Sequence, residues 1–184
     1  MVRLTFIALV LAQALPAAGT ADVCEQKVPA SLRSALKKKF PGFRPPRLGD
    51  QDADSTEFNR HAGGDGCITV ARGDFDGDGQ KDVAILLTNG KSDDVRLVVA
   101  LRRATSWAIY RLPTWCGSIS ACYVETVKPG LFKRTESLDI PLSSPDERDY
   151  LRSRTENVLS GTVEATGIVY AHSGGKWRYV WVED

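Results

Sequence analysis

The segment Gly73-Asp74-Phe75-Asp76-Gly77-Asp78-Gly79-Gln80-Lys81-Asp82 sets the strongest constraint on how this chain can fold. It is too polar and glycine-rich for the inside of a regular element. Yet Cys67-Ile68-Thr69-Val70-Ala71 alternates on its way in, and Val83-Ala84-Ile85-Leu86-Leu87 leaves as an unbroken apolar run. Alternation followed by a tight loop and an apolar run predicts two strands joined by that loop. A strand apolar at every position is expected to be buried on both faces.

Within the loop, Asp74, Asp76, Asp78 and Asp82 stand at relative positions 1, 3, 5 and 9, with Gly79 at position 6. Aspartates at alternate positions turn short side chains inward, and Gly77 and Gly79 permit the tight backbone. Gln80 offers its carbonyl and Asp82 closes the ring. Such a shell of oxygens at roughly 2.3–2.6 Å suits one hard cation, and calcium is the natural candidate. Without an ion the four carboxylates repel one another, so binding is expected to couple to stability. A second alternation, Asp50, Asp52 and Asp54, has Ser55 where the sharp turn wants glycine and Phe58 where a closing ligand would stand. It reads as a solvated loop rather than a second site.

The run from Gly73 to Ala84 resembles the calcium loop of FG-GAP and VCBS-type repeats, the module that recurs in the β-propeller of integrin α subunits and in many secreted bacterial proteins. The resemblance implies side-chain ligands at Asp74, Asp76, Asp78 and Asp82 and a carbonyl ligand at Gln80. A propeller needs several copies and this chain carries one, so neither a propeller nor integrin-like adhesion is inferred. An EF-hand fits the same residues less well: position 12 is Ile85 instead of a glutamate, and strand patterns stand where its helices belong.

Residues Met1 to Ala21 carry Arg3, an apolar stretch from Leu4 to Leu15 and a small-residue tail, the pattern of a secretory signal peptide cleaved after Ala21. The apolar stretch is shorter than the ~20 residues a membrane span needs, so no membrane insertion is expected after cleavage. Residues 22–184 are then one exported domain, secreted or periplasmic in a bacterium. All four cysteines lie in it, and an even count in an oxidising compartment favours disulfides. Of the three connectivities, Cys24–Cys67 with Cys116–Cys122 is preferred, because the second pair is separated by a short loop that closes like a hairpin. The absence of a C-x-x-C half-site argues against zinc.

Leu32, Ala35, Leu36 and Phe40 share one helical face, which predicts a helix from about Pro29 to Phe40, with Lys37, Lys38 and Lys39 on its solvated side. From Pro41 to Gly66 the chain reads as a long irregular connection with at most a short strand near Thr56 to Asn59. Further strands are expected at Val95–Leu101, Ser106–Leu112 and Tyr123–Val127, and a terminal hairpin at Gly167–His172 and Lys176–Val182. Ser144-Pro145-Asp146-Glu147 has the form of a helix start, so a short helix to about Ser153 is expected. The fold class is therefore α+β: an antiparallel meander with an N-terminal helix packed on it and a short second helix.

The chain holds 24 basic and 23 acidic residues, and one of the basic ones is Arg3 of the leader. A neutral domain without a basic face does not suit nucleic acid. Neither of the two histidines, His61 and His172, accompanies a Gly-x-Ser-x-Gly turn, and no phosphate-cradling G-x-x-x-x-G-K is present. No catalytic residues are assigned. Trp177, Tyr179 and Trp181 alternate on one face of the last strand and either pack in a core or offer a surface to a protein or carbohydrate partner. The expected function is a non-enzymatic binding or structural module stabilised by one calcium ion. The alternatives are a secreted hydrolase with a dispersed site and a small inhibitor or accessory protein that makes contact through the Cys116–Cys122 loop.

Overall fold

A computed structural model of the chain describes residues 22–90, 94–136, 141–163, 165 and 167–182, so the expected leader, Met1 to Ala21, lies outside the described residues. Among the described residues the fold is mainly β with three α-helices, and its ten strands form antiparallel sheets, none closed into a barrel or propeller. The acidic loop's two strands, β1 (Val70–Gly73) and β2 (Asp82–Thr88), continue through β3 (Val95–Arg102) and β4 (Trp107–Arg111) as the expected meander. A second sheet runs in the order β10 (Lys176–Val182), β9 (Gly167–Ser173), β8 (Asn157–Thr162), β5 (Cys122–Val127). A hairpin of β6 (Gly130–Lys133) and β7 (Tyr150–Ser153) completes the β structure.

Every residue of β2 is buried, and the register explains how. Val83 pairs with Ala100 and Ile85 with Val98 on one face; Ala84 pairs with Val99 and Leu86 with Leu97 on the other. The first face packs against Cys24 of helix α1 (Val23–Lys27) and Val28 at its C-cap, and against Leu32 and Leu36 of helix α2 (Ala30–Lys39) and Phe40 at its C-cap. The second meets Val124, Val158, Ile168, Tyr170 and Tyr179 of the second sheet, which makes the centre of the molecule a two-sheet sandwich. The sheets come together at one corner, where the Val124 amide donates to the Ile68 carbonyl at 2.7 Å. Beyond the second sheet, Phe132 and Leu151 of the β6–β7 hairpin cover Val169, Ala171 and Val180.

Two expectations are overturned. The connection from Pro41 to Gly66 contains helix α3 (Ala53–His61) instead of a short strand at Thr56 to Asn59. Asp52 starts that helix by accepting from the Ser55 amide at 2.9 Å. Buried Gln51 fixes it, donating to the Thr56 hydroxyl and the Gly66 carbonyl while accepting from the Ile68 amide and the Thr69 hydroxyl. The helix expected from Ser144 to Ser153 is a turn followed by strand β7. There the Arg148 amide donates to the Tyr179 carbonyl, and the Tyr179 amide to the Asp146 carbonyl. The open edge of β10 thus captures the backbone that a helix would have used, and Leu151 drops into the outer core.

Candidate metal centre

Antiparallel meander geometry puts the β1–β2 loop and the β3–β4 turn at the same end of the sandwich. Phe75 is the loop's only large apolar residue and is fully buried in the sandwich core, so the loop is nailed down at one point. Gly73 leaves the space this needs, since a Cβ there would lie 2.6 Å from the Phe75 ring. Gly77 and Gly79 take φ of 79° and 81°, the left-handed region in which glycine alone is unstrained.

Asp74, Asp76 and Asp78 each offer a carboxylate oxygen to one spot, and these three atoms lie within 4.8 Å of one another. Their other bonds hold the loop in shape. The Gly77 and Gly79 amides donate to the two Asp74 oxygens, each at 2.9 Å, and the Gln80 amide donates to Asp78 at 2.8 Å. The Gln80 side chain folds back on Asp78, its Nε2 donating at 3.1 Å.

Asp82 does a different job from the three. It is fully buried, and its oxygens accept from the Phe75 amide at 2.8 Å and the Arg102 amide at 2.7 Å. It therefore ties the start of the loop to the end of β3, and its carboxylate is not one of the three clustered groups. Burial pushes its pKa up to about 6; the charges of Asp76 and Asp78 push the same way, against the two amides.

Two residues that sequence reasoning did not assign complete the surroundings. The Arg103 guanidinium lies 2.7 Å from Asp76 and 3.4 Å from Asp78, and the hydrogen bond to Asp76 holds its pKa above the ordinary value. Glu156, just before β8, accepts from the Asp74 amide at 2.6 Å and pairs with Lys81 at 3.2 Å. That amide, followed by Lys81, holds the Glu156 carboxyl below its usual range. The neighbouring Thr155 hydroxyl donates to the Phe75 carbonyl at 3.1 Å. The second sheet thus straps the loop from outside while Phe75 holds it from within.

No protein-family model matches the chain, and neither a curated protein nor a solved structure is similar to it.

The second acidic alternation does not converge. Asp50 accepts from both terminal nitrogens of Arg44 at 2.7 Å, which holds its carboxyl below the usual range, and Asp52 caps α3. Asp54 is an exposed residue of that helix's first turn. Cys24 and Cys67 form one disulfide, with Cα atoms 5.4 Å apart, and Cys116 and Cys122 the other, at 5.9 Å. Tyr179 is buried, and Trp177 and Trp181 pack half-buried against the sandwich core, so the aromatic stripe faces inward. Trp115 caps it, edge-on to Trp181 with ring centroids 4.7 Å apart.

Among the described residues no histidine is hydrogen-bonded to a serine. His61 pairs with Glu57 on the surface. His172 packs at a tilt against Trp177 and Tyr110 with its Nε2 buried and unpartnered, and burial holds its pKa below the ordinary value.

Proposed function

We propose that the chain is an exported, non-enzymatic binding or structural module whose fold is locked by one divalent cation, and that the ion is calcium. Asp74, Asp76 and Asp78 supply side-chain oxygens and Gln80 its carbonyl, with Asp82 closing and positioning the loop. The observation that carries this reading is a charge imbalance. One guanidinium, Arg103, stands against three converging carboxylates with the buried Asp82 carboxyl behind them, an excess of negative charge that one divalent ion would offset. Two charges 4.8 Å apart repel by roughly 3 kcal/mol at an effective dielectric of ~20. The loop nonetheless keeps the three oxygens together, as the likeness to FG-GAP and VCBS-type calcium loops would require. The two disulfides fit an oxidising compartment and support export. Among the described residues no helix is long and apolar enough to cross a membrane.

Adding calcium to chelator-treated protein is expected to raise the melting temperature. The stabilisation should reach about 2.7 kcal/mol when calcium is a hundredfold above its Kd, and Asp76→Ala should remove most of it. A silent calcium titration, with magnesium silent as well, would sink the reading.

Arg103 gives a second, opposite test. Its guanidinium occupies oxygens of Asp76 and Asp78 and so competes with a cation. Arg103→Gln is expected to weaken the cation-free protein by at most about 1 kcal/mol and to enlarge the calcium-dependent rise in melting temperature. A smaller rise in this variant would mean that Arg103 supports the bound ion instead of competing with it.

A further inference from the structure

The β6–β7 hairpin covers only part of the second sheet's outer face. Val127 and Leu159 still pack against the cluster under the hairpin, but toward Tyr123 the hairpin gives out, and Gly161, paired with Tyr123, adds no side chain there. Helix α3 stands beside the opening, and together they enclose a groove of about 890 Å³. Its floor is apolar, built on Tyr123, Leu159 and Val163. Its wall is one stripe of α3, with Ser55, Phe58, Asn59 and Ala62 at helical spacing. Phe58 is 77% exposed, the most exposed of the large apolar residues among the described ones.

The charge around the groove has one sign. Asp52, Asp54 and Glu125 line it, and no lysine, arginine or histidine does among the described residues. Asp52 commits one oxygen, Oδ2, to the helix cap, where it accepts from the Ser55 amide and hydroxyl. Glu125 projects from the same face of β5 as Tyr123 and sits opposite Leu159 on the floor. Both Asp54 and Glu125 are exposed. An apolar floor with an exposed aromatic wall takes an apolar body, and an all-carboxylate rim takes a positive head. The volume is within the ~300–1,000 Å³ typical of small-ligand sites.

We propose that this groove binds a small organic cation with an apolar body, an alkyl or aryl amine or quaternary ammonium. The body lies between Phe58 and the Tyr123–Leu159–Val163 floor, and the head sits at Glu125 and Asp54. This site is distinct from the acidic loop and does not depend on the cation there.

The test titrates the protein, in chelator, with decyltrimethylammonium and with decanoate, both monomeric, and follows amide shifts by NMR together with calorimetry. Saturable binding of the cationic probe, about tenfold or more tighter than decanoate, is expected from two exposed carboxylates. The double variant Glu125→Gln/Asp54→Asn should erase most of that preference, and Phe58→Ala should weaken the cationic probe by about tenfold. These positions are exposed, so the variants are expected to fold as the parent does. The proposal is overturned if decanoate binds as tightly, if neither probe saturates, or if binding is unchanged by both variants. It is also overturned if sedimentation shows the face buried between two copies of the chain.

Discussion

Phe75→Ala is expected to destabilise the protein by about 3–5 kcal/mol, the usual cost of emptying a fully buried aromatic site, and to do so with or without calcium. The ring lies in the sandwich core while its own amide and carbonyl are held by Asp82 and Thr155. Removing it takes away the one apolar contact that fixes a loop otherwise made of aspartates and glycines. Asp74 and Asp76 flank it, so their carboxylates should lose their fixed separation, and the calcium-dependent rise in melting temperature should shrink with the stability. Phe75→Leu, which keeps most of the apolar volume, should recover part of both. Urea unfolding in chelator and in saturating calcium measures the two effects separately. A Phe75→Ala protein that is less stable but shows the parent's full calcium response would refute the idea that this side chain preorganises the loop.

The elements that could be read in advance are those whose signal is local and repeated. Helix α2 announces itself through Leu32, Leu36 and Phe40, and all three are buried. The run from Val83 to Leu87 predicts burial on both faces, and the structure covers one with helices and the other with a sheet. Helix α3 was hidden because its segment has no apolar stripe: Phe58 is its only large apolar residue, and it faces solvent. Its local signal is the pair Asp52 and Ser55, which is lost in an acidic alternation that reads as a solvated loop. Strand β8 was hidden for a different reason. Ser160 and Gly161 interrupt its apolar residues, and its place between β5 and β9 is fixed by partners far away in sequence.

The candidate site divides in the same way. Asp74, Asp76 and Asp78 converge as their spacing predicts, because that geometry is set within a few residues. Asp82 stands where the loop pattern wants a ligand, but its depth between two strands commits both its oxygens to amides. Glu156 reaches the loop across 82 residues and carries no local signal at all. Arg103 was open to inference. Once the meander is assumed, a basic pair in the β3–β4 turn must lie at the same end as the acidic loop.

Removing the Cys24–Cys67 bridge, as Cys24→Ala/Cys67→Ala, is expected to cost about 4 kcal/mol, against about 2 kcal/mol for the Cys116–Cys122 pair. The chain-entropy account makes the difference one of loop length, since the bridges close sequence separations of 43 and 6 residues. Packing adds to it: Cys24 and Cys67 are buried in the core between helices and sheet, whereas Cys116 is only partly buried. The long bridge also encloses the whole stretch that holds α2, α3 and Gln51, so its loss should loosen the wall of the groove. The acidic loop lies outside the closed segment and is anchored by Phe75 and Glu156. Calcium should therefore still raise the melting temperature of the Cys24→Ala/Cys67→Ala protein, while decyltrimethylammonium binding weakens. If the short bridge proves the more stabilising of the two, loop closure is not what these disulfides contribute. If calcium stabilisation disappears along with the long bridge, the two ends of the molecule are coupled more tightly than their contacts imply.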